Sequence, residues 1–298
     1  MGEEPLISVI IPTYRRKGKL TNCIDSVKKS TYENIEIIVI NDDRGVDMSH
    51  YAEVHHVKLI QNIEHSFASY SRNIGARVAN GSMLFFLDDD NVLDKGAIRT
   101  LLRTYAETPR IGLLGPIMYN NRGEVWFCGA RANWITQSPT RFKTKPSRGY
   151  LIQTDVIPNA CLVNKKLFER AGGYDSELFP IHNDDFDLSQ KLINMGYKNF
   201  IITSASTIHD CGSILEHISP KRLYFMIRSG IFLEKKYAPR KRIPFFIAFM
   251  PIHLLYFFGF FIPRQVNRMK FYKDYTRGLT DAVRMLKYVK RSAITRAQ

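Results

Sequence analysis

Three consecutive carboxylates, Asp88, Asp89 and Asp90, follow directly on five apolar residues, Met83 to Leu87. Adjacent like charges repel, so an ordered site that keeps them needs a partner of opposite sign. A hard divalent cation, which prefers oxygen ligands, is the usual one. A second acidic pair, Asp42 and Asp43, closes another apolar run, Ile35 to Ile40. A third group, Asp184, Asp185 and Asp187, opens a stretch with helical periodicity. Carboxylates can hold a metal, accept hydrogen bonds from a ligand or take a proton as general base. All three are roles this set could divide among its members.

The elements that position these acids follow from hydrophobic patterning. Ile7–Ile11 is a β-branched run before Pro12 and reads as a buried strand. Leu20, Ile24 and Val27 recur at helical spacing, and Ile35–Ile40 reads as a second strand. A short strand is expected near Val57–Ile60, then a helix with the face Phe67, Tyr70, Ile74 and Val78, closed by Asn80-Gly81. Met83–Leu87 is the central strand, with a helix marked by Ile98, Leu101, Leu102 and Tyr105 and an apolar stretch at Ile111–Ile117 after it. Strand and helix alternate, which predicts an α/β fold with a mostly parallel sheet and helices on both faces. Two strands ending in acids then place both clusters on one sheet edge, where open α/β sheets bind ligands.

Beyond residue 118 the pattern loosens. Residues 119–150 are polar, carry Trp126 and Trp134, and read as hairpin strands with a mobile loop over Gln137–Tyr150. Asn164 reads as the N-cap of a short helix ending at Gly172-Gly173. Asp184–Met195 reads as a helix with Gly196 past its end, followed by a short strand at Phe200–Ile202. Ser219-Pro220 starts a helix running toward Tyr237, and a last amphipathic helix is expected over Tyr272–Val289.

The chain of 298 residues has a formal net charge of +15, and that charge is concentrated at one end. Residues 211–298 hold 18 Lys/Arg against 4 Asp/Glu and ten of the nineteen Phe. Basic and aromatic together suggest an anionic membrane surface or nucleic acid. The four cysteines, Cys23, Cys128, Cys161 and Cys211, have no metal-site spacing and read as reduced and mostly buried. The acidic start Met-Gly-Glu-Glu-Pro is not a signal peptide, which predicts a cytosolic catalytic part.

Six motifs in order now carry a resemblance: Val-Ile-Ile-Pro-Thr-Tyr-Arg at 9–15, Val-Ile-Asn-Asp-Asp at 39–43, Ser-Arg-Asn-Ile-Gly at 71–75, Phe-Leu-Asp-Asp-Asp at 86–90, Gly-Gly-Tyr-Asp at 172–175 and Asp-Asp-Phe-Asp-Leu at 184–188. The chain resembles the family 2 glycosyltransferases, inverting enzymes of GT-A fold, over roughly residues 6–235. From Phe179 through His209 to Ser213 it looks most like the rhamnosyltransferase-type members.

The resemblance implies a GT-A (nucleotide-diphospho-sugar transferase) catalytic domain over 1–215 and a C-terminal helical region over 216–298. It implies Mn²⁺ or Mg²⁺ as cofactor and a UDP-, dTDP- or GDP-sugar as donor. Asp88 and Asp90 match the two acids of the D-x-D motif. Asp90 is then the metal ligand, Asp88 lies nearer ribose or sugar, and Asp89 serves either role. His209 matches a late histidine that completes the metal site or touches the diphosphate. Asp42 matches the acid that hydrogen-bonds the nucleobase, with Asp43 the alternative if the register slips by one. Pro12, Thr13, Tyr14 and Arg15 match the loop over the nucleoside, and Arg72 matches a nucleotide-contacting arginine. Asp185 matches the general base, although position 184 is Asp where the family usually has Glu, and Asp187 supports the helix.

The implied partners are the donor and a glycan or polyprenyl-linked acceptor. A nucleotidyltransferase of similar fold is the nearest rival, but it usually carries a Gly-rich basic N-terminal loop, which Pro-Thr-Tyr-Arg-Arg is not. A nucleic-acid-binding protein using the basic C-terminal part is the second rival; no nucleic acid is expected. Residues 243–262 carry no charge and could cross a bilayer as one straight helix. Pro251 at its middle and basic flanks at both ends favour a monotopic, re-entrant or in-plane anchor on the cytosolic face. A true span, a soluble packed helix and a homo-oligomer interface are the other readings of that segment.

Overall fold

Strands that alternate with helices in the first half of the chain and follow one another more directly in the second assemble one ten-stranded mixed sheet. Along its main path the strand order is β10-β12-β6-β11-β4-β1-β2-β3. The computed structural model describes residues 4–134, 139–142, 147, 149–158, 160–210 and 219–242, together with 244, 245, 247, 248, 252, 255–262, 265 and 267–291. Half of the loop expected at 137–150 lies outside the described residues, as do Cys211, Pro251 and Arg264.

The first half is the expected parallel arrangement. β1 (Ile7–Thr13), β2 (Ile35–Asn41), β3 (Lys58–Gln61) and β4 (Met83–Leu87) run parallel, with β1 between β2 and β4. β1 and β4 are buried along their whole length; β4 is an unbroken apolar run, and β1 is apolar apart from the buried Ser8 and Thr13. The helices between them are α1 (Lys17–Lys28), the short α2 (Ser49–Val54) and α3 (Phe67–Val78). β1 continues two residues beyond the sequence expectation. It pairs with β4 only as far as Ile10 but with β2 as far as Thr13, so Pro12 sits where no partner on the β4 side needs its missing N–H.

The second half mixes directions. β5 (Asn91–Leu93), α4 (Ala97–Glu107), β6 (Ile111–Tyr119), β7 (Val125–Phe127), the small hairpin of β8 (Ala130–Arg131) and β9 (Thr140–Arg141), β10 (Leu151–Thr154) and β11 (Ala160–Asn164) follow in order. β11 enters antiparallel between β4 and β6. Asn164 caps α5 (Lys165–Arg170) through Oδ1, which accepts from the Leu167 N–H at 3.2 Å. α6 (Asp184–Asn194) leads into β12 (Lys198–His209), a twelve-residue strand where the sequence showed only a three-residue core. β12 runs parallel to β6 with register shifts, and its last residues pair with β5, which carries His209 opposite Asn91.

Gly81 does not close α3 as a left-handed cap. A Cβ there would stand 2.6 Å from the Leu6 carbonyl oxygen, so the glycine serves close backbone approach.

The last helices are α7 (Pro220–Tyr237) and α8 (Arg268–Met285). Phe232, Leu233 and Tyr237 of α7 join the main core. Leu223 and Ile227 form a second cluster with Ile262, Phe271 and Tyr275. Within the expected membrane segment, Phe245, Ile247, Ile252, Leu255 and Tyr256 are exposed. Among the described residues no helix is long and apolar enough to cross a membrane.

Candidate active site

Parallel register brings the ends of β1, β2 and β4 to one edge, and with them Thr13, Asn41 to Asp43 and Asp88 to Asp90. A cavity of about 480 Å³ opens there, lined among others by Thr13, Arg15, Arg16, Asn41, Asp43 and Met48.

At the β2 end the two adjacent acids divide. Asp42 is buried, and protein donors use its carboxylate fully. Oδ1 accepts from Asn62 Nδ2 at 2.8 Å and from the Ser66 N–H at 2.9 Å. Oδ2 accepts from the Phe67 N–H at 2.9 Å and lies 2.7 Å from His65 Nδ1. A carboxylate offers about four acceptor positions, so Asp42 has none left for a nucleobase. Its structural work is to hold the start of α3. Of the pair, Asp43, the one-residue slip, is the acid that lines the cavity. Arg15 Nε donates to Asp43 Oδ2 at 2.7 Å, and that bond holds the Asp43 carboxyl below the usual range. Tyr14 is 38% exposed, and its ring stands 4.4 Å from that of His65.

At the β4 end each acid has a different neighbour. Asp89 is buried, accepting from Thr13 Oγ1 at 2.7 Å. Burial pushes its carboxyl up to about 6, against the pull of Thr13 and Arg16. Asp89 is thus a post for the β1 loop. Asp90 Oδ2 accepts from Arg16 Nη1 at 2.9 Å, and its Oδ1 lies 3.2 Å from His209 Nε2. Burial opposes ionisation of Asp90, but His209, Arg16 and Lys19 prevail and keep its carboxyl below the usual range. His209 is held edge-on by the Trp126 ring at 4.4 Å.

The expected metal set of Asp88, Asp90 and His209 is brought together only in its Asp90–His209 half. Asp88 is drawn away by Arg72, whose Nη2 is 2.5 Å from Asp88 Oδ1. Among the described residues no three His, Cys, Asp or Glu side chains converge on one point. A buried carboxylate oxygen beside an imidazole still fits a hard cation, and Asp90 Oδ1 accepts no well-formed hydrogen bond among the described residues.

Arg72 is 3% exposed, and its Nη1 donates to Asp184 Oδ2 at 2.5 Å, so it bridges two carboxylate groups. Asp185, next on α6, lies 3.8 Å from Arg72 Nη1 through Oδ1, and its side chain is 21% exposed. Asp187 is fully buried and bound by Tyr237 Oη at 2.7 Å, Lys236 Nζ at 2.7 Å and Lys191 Nζ at 3.0 Å. Of the three acids on this turn, Asp185 is the most exposed. His182 and Asn183, just before α6, both have left-handed backbones, with φ of 65° and 61°. Two such non-glycine residues in a row aim the first turn of α6 at the site.

Sequence reasoning missed Arg16, Lys19 and His65. Lys19 Nζ binds Asp210 through the carbonyl at 2.6 Å and Oδ2 at 2.9 Å. The available signal was the run Arg15-Arg16-Lys17-Gly-Lys19, a cluster of cations one strand away from a cluster of acids.

A family profile described as Glycosyl transferase family 2 matches residues 8–172. An uncharacterised glycosyltransferase of Haemophilus influenzae is 26% identical over 63% of this chain and 62% of its own length. The dTDP-rhamnosyl transferase RfbF of Shigella flexneri is 22% identical over 93% of this chain and 95% of its own. The crystal structure of GalNAc-T7 with UDP, GalNAc and Mn²⁺ superposes with a TM-score of 0.67 at 16% identity, covering 95% of this chain and 57% of that one. At that identity the likeness is one of fold. The chain spans less than two thirds of the Haemophilus protein and of GalNAc-T7.

Proposed function

Since this chain belongs to glycosyl transferase family 2 and is a glycosyltransferase, we propose that it moves a sugar, with inversion, from a nucleotide-diphosphate sugar to an acceptor hydroxyl. The observation that carries the reading is the buried Arg72, which joins Asp88 on the donor side to Asp184 and Asp185 on the acceptor side. Donor and base are thereby registered to each other by one rigid side chain.

In the proposed reaction the donor nucleoside lies in the cavity, its base against Asp43 and Tyr14. Asp88 faces the ribose or sugar. Asp185, the most exposed acid on its turn, takes the proton of the acceptor hydroxyl. The acceptor oxygen bonds to the anomeric carbon as the bond from that carbon to the diphosphate breaks. Asp90 and His209 would hold a divalent cation, Mn²⁺ or Mg²⁺, which when bound stabilises negative charge on the leaving diphosphate. RfbF, by its name, uses dTDP-rhamnose, which makes a dTDP-sugar the first donor to try, with UDP- and GDP-sugars next.

The site is placed by this proposal at the cytosolic face of a membrane, with a glycan or polyprenyl-linked acceptor. Support comes from the exposed Phe245, Ile247, Ile252 and Leu255 next to the exposed Arg240, Lys241 and Arg242. Apolar side chains flanked by cations suit an in-plane anchor on anionic lipid.

The test of the reaction is a screen of dTDP-, UDP- and GDP-sugars for Mn²⁺-dependent thermal stabilisation, followed by product analysis with the donor that binds. Stabilisation by none of them would sink the reading. The membrane part is tested by flotation with anionic vesicles; a chain that stays at the bottom of the gradient overturns it.

A further inference from the structure

Arg15 has a left-handed backbone, with φ of 59°. A non-glycine residue there is strained by roughly 1–2 kcal/mol. The turn it makes sends two successive arginines to opposite ends of the same edge. Arg15 goes to Asp43, and Arg16 goes to Asp90 and Asp89 at 2.9 and 3.4 Å.

The Arg16 side chain is 53% exposed. Both of its contacts are made by Nη1, and among the described residues Nη2 and Nε have no partner. A guanidinium presents its donors as a planar fork that fits phosphate oxygens in pairs. Arg16 therefore has one nitrogen fixed to the acid cluster and two nitrogens without a partner among the described residues, and it is one of the residues that line the cavity. Asp90 is divided in the same way. Its Oδ2 takes Arg16, while its Oδ1 faces His209.

Resting on the glycosyltransferase reading above, we propose that Arg16 is a second cation of the diphosphate subsite. It holds Asp90 through Oδ2, leaves Oδ1 and His209 to a divalent cation, and donates to the diphosphate through its free edge. Two consequences have opposite signs. A fixed positive charge beside Asp90 weakens binding of a bare divalent cation. The same charge strengthens binding of the metal–nucleotide pair, because the diphosphate brings negative charge that both cations share.

The experiment measures MnCl₂ binding alone, by spin resonance of free Mn²⁺, and binding of UDP, dTDP and GDP in saturating Mn²⁺, by calorimetry. The full chain is compared with Arg16→Gln and Arg16→Lys. Arg16→Gln is expected to bind Mn²⁺ alone about tenfold more tightly and the nucleotide at least about tenfold more weakly, while Arg16→Lys keeps most of the nucleotide affinity. A parallel loss of both affinities in Arg16→Gln would mean a structural role and overturn the inference, as would two unchanged affinities. If the wild-type chain binds none of the three nucleotides with Mn²⁺, the glycosyltransferase reading of the site fails as well.

Discussion

Arg72 and Asp184 form a buried ion pair at 2.5 Å, and the same guanidinium reaches Asp88 with its other terminal nitrogen at 2.5 Å. Its planar fork spans two carboxylates on different elements, each taken by its own terminal nitrogen.

Replacing Arg72 by Met should destabilise the fold by about 3–5 kcal/mol, because two carboxylates lose their counter-charge in the interior. Arg72→Lys should recover part of this while leaving transfer impaired. Thermal unfolding and donor turnover, read together, check it. A stable Arg72→Met chain would show that Asp88 and Asp184 are solvated without it.

Asp42 and Asp43 should separate cleanly under mutation. Asp42→Ala orphans the Ser66 and Phe67 N–H groups at the start of α3 and should cost about 1–3 kcal/mol of stability. Asp43→Asn should leave the melting temperature nearly unchanged and weaken nucleotide binding. The opposite pattern would return the base-binding role to Asp42.

Asp185→Asn should keep donor affinity and slow the chemical step by ~10²-fold or more. Rapid-mixing turnover with a bound donor is the measurement. If Asp184→Asn proves to be the dead variant while Asp185→Asn keeps its rate, the base lies one residue earlier.

Glu234 on α7 is 4% exposed, and neither carboxylate oxygen has a hydrogen-bond partner among the described residues. Burial pushes its carboxyl up to about 7, with the charge of Arg291 pulling back. Between the unfolded carboxylate range near 4.3 and about 7, the folded chain binds the extra proton, so stability falls as pH rises through that window. Glu234→Gln should therefore raise stability by about 2 kcal/mol at pH 8 and change it little at pH 5. Melting curves at the two pH values decide it; equal shifts at both would contradict the protonation argument.

The sheet edge and its acids were legible in the sequence because apolar runs that stop at carboxylates can hardly fold otherwise. Pairing partners were less so. β11 lies between β4 and β6 by tertiary choice, since a five-residue apolar run carries no mark of its direction. Which of two adjacent acids turns inward was also hidden. Asp42 and Asp43 differ by one position, and their fates depend on backbone donors at the start of α3, some 24 residues away. Arg16 escaped notice because its contact with Asp90 depends on the left-handed turn at Arg15, and nothing in the residue type announces a positive φ there.

Asp187 sits behind the base and is closed in by Lys236 and Tyr237 from the far end of α7. The helix that carries Asp185 is therefore completed by residues some fifty positions later in the chain. Cutting the polypeptide at residue 215, where the recognisable motifs stop, would strand a charge in the interior with Lys191 as its remaining counter-ion. The smallest piece that can be expected to fold and turn over extends at least to Tyr237.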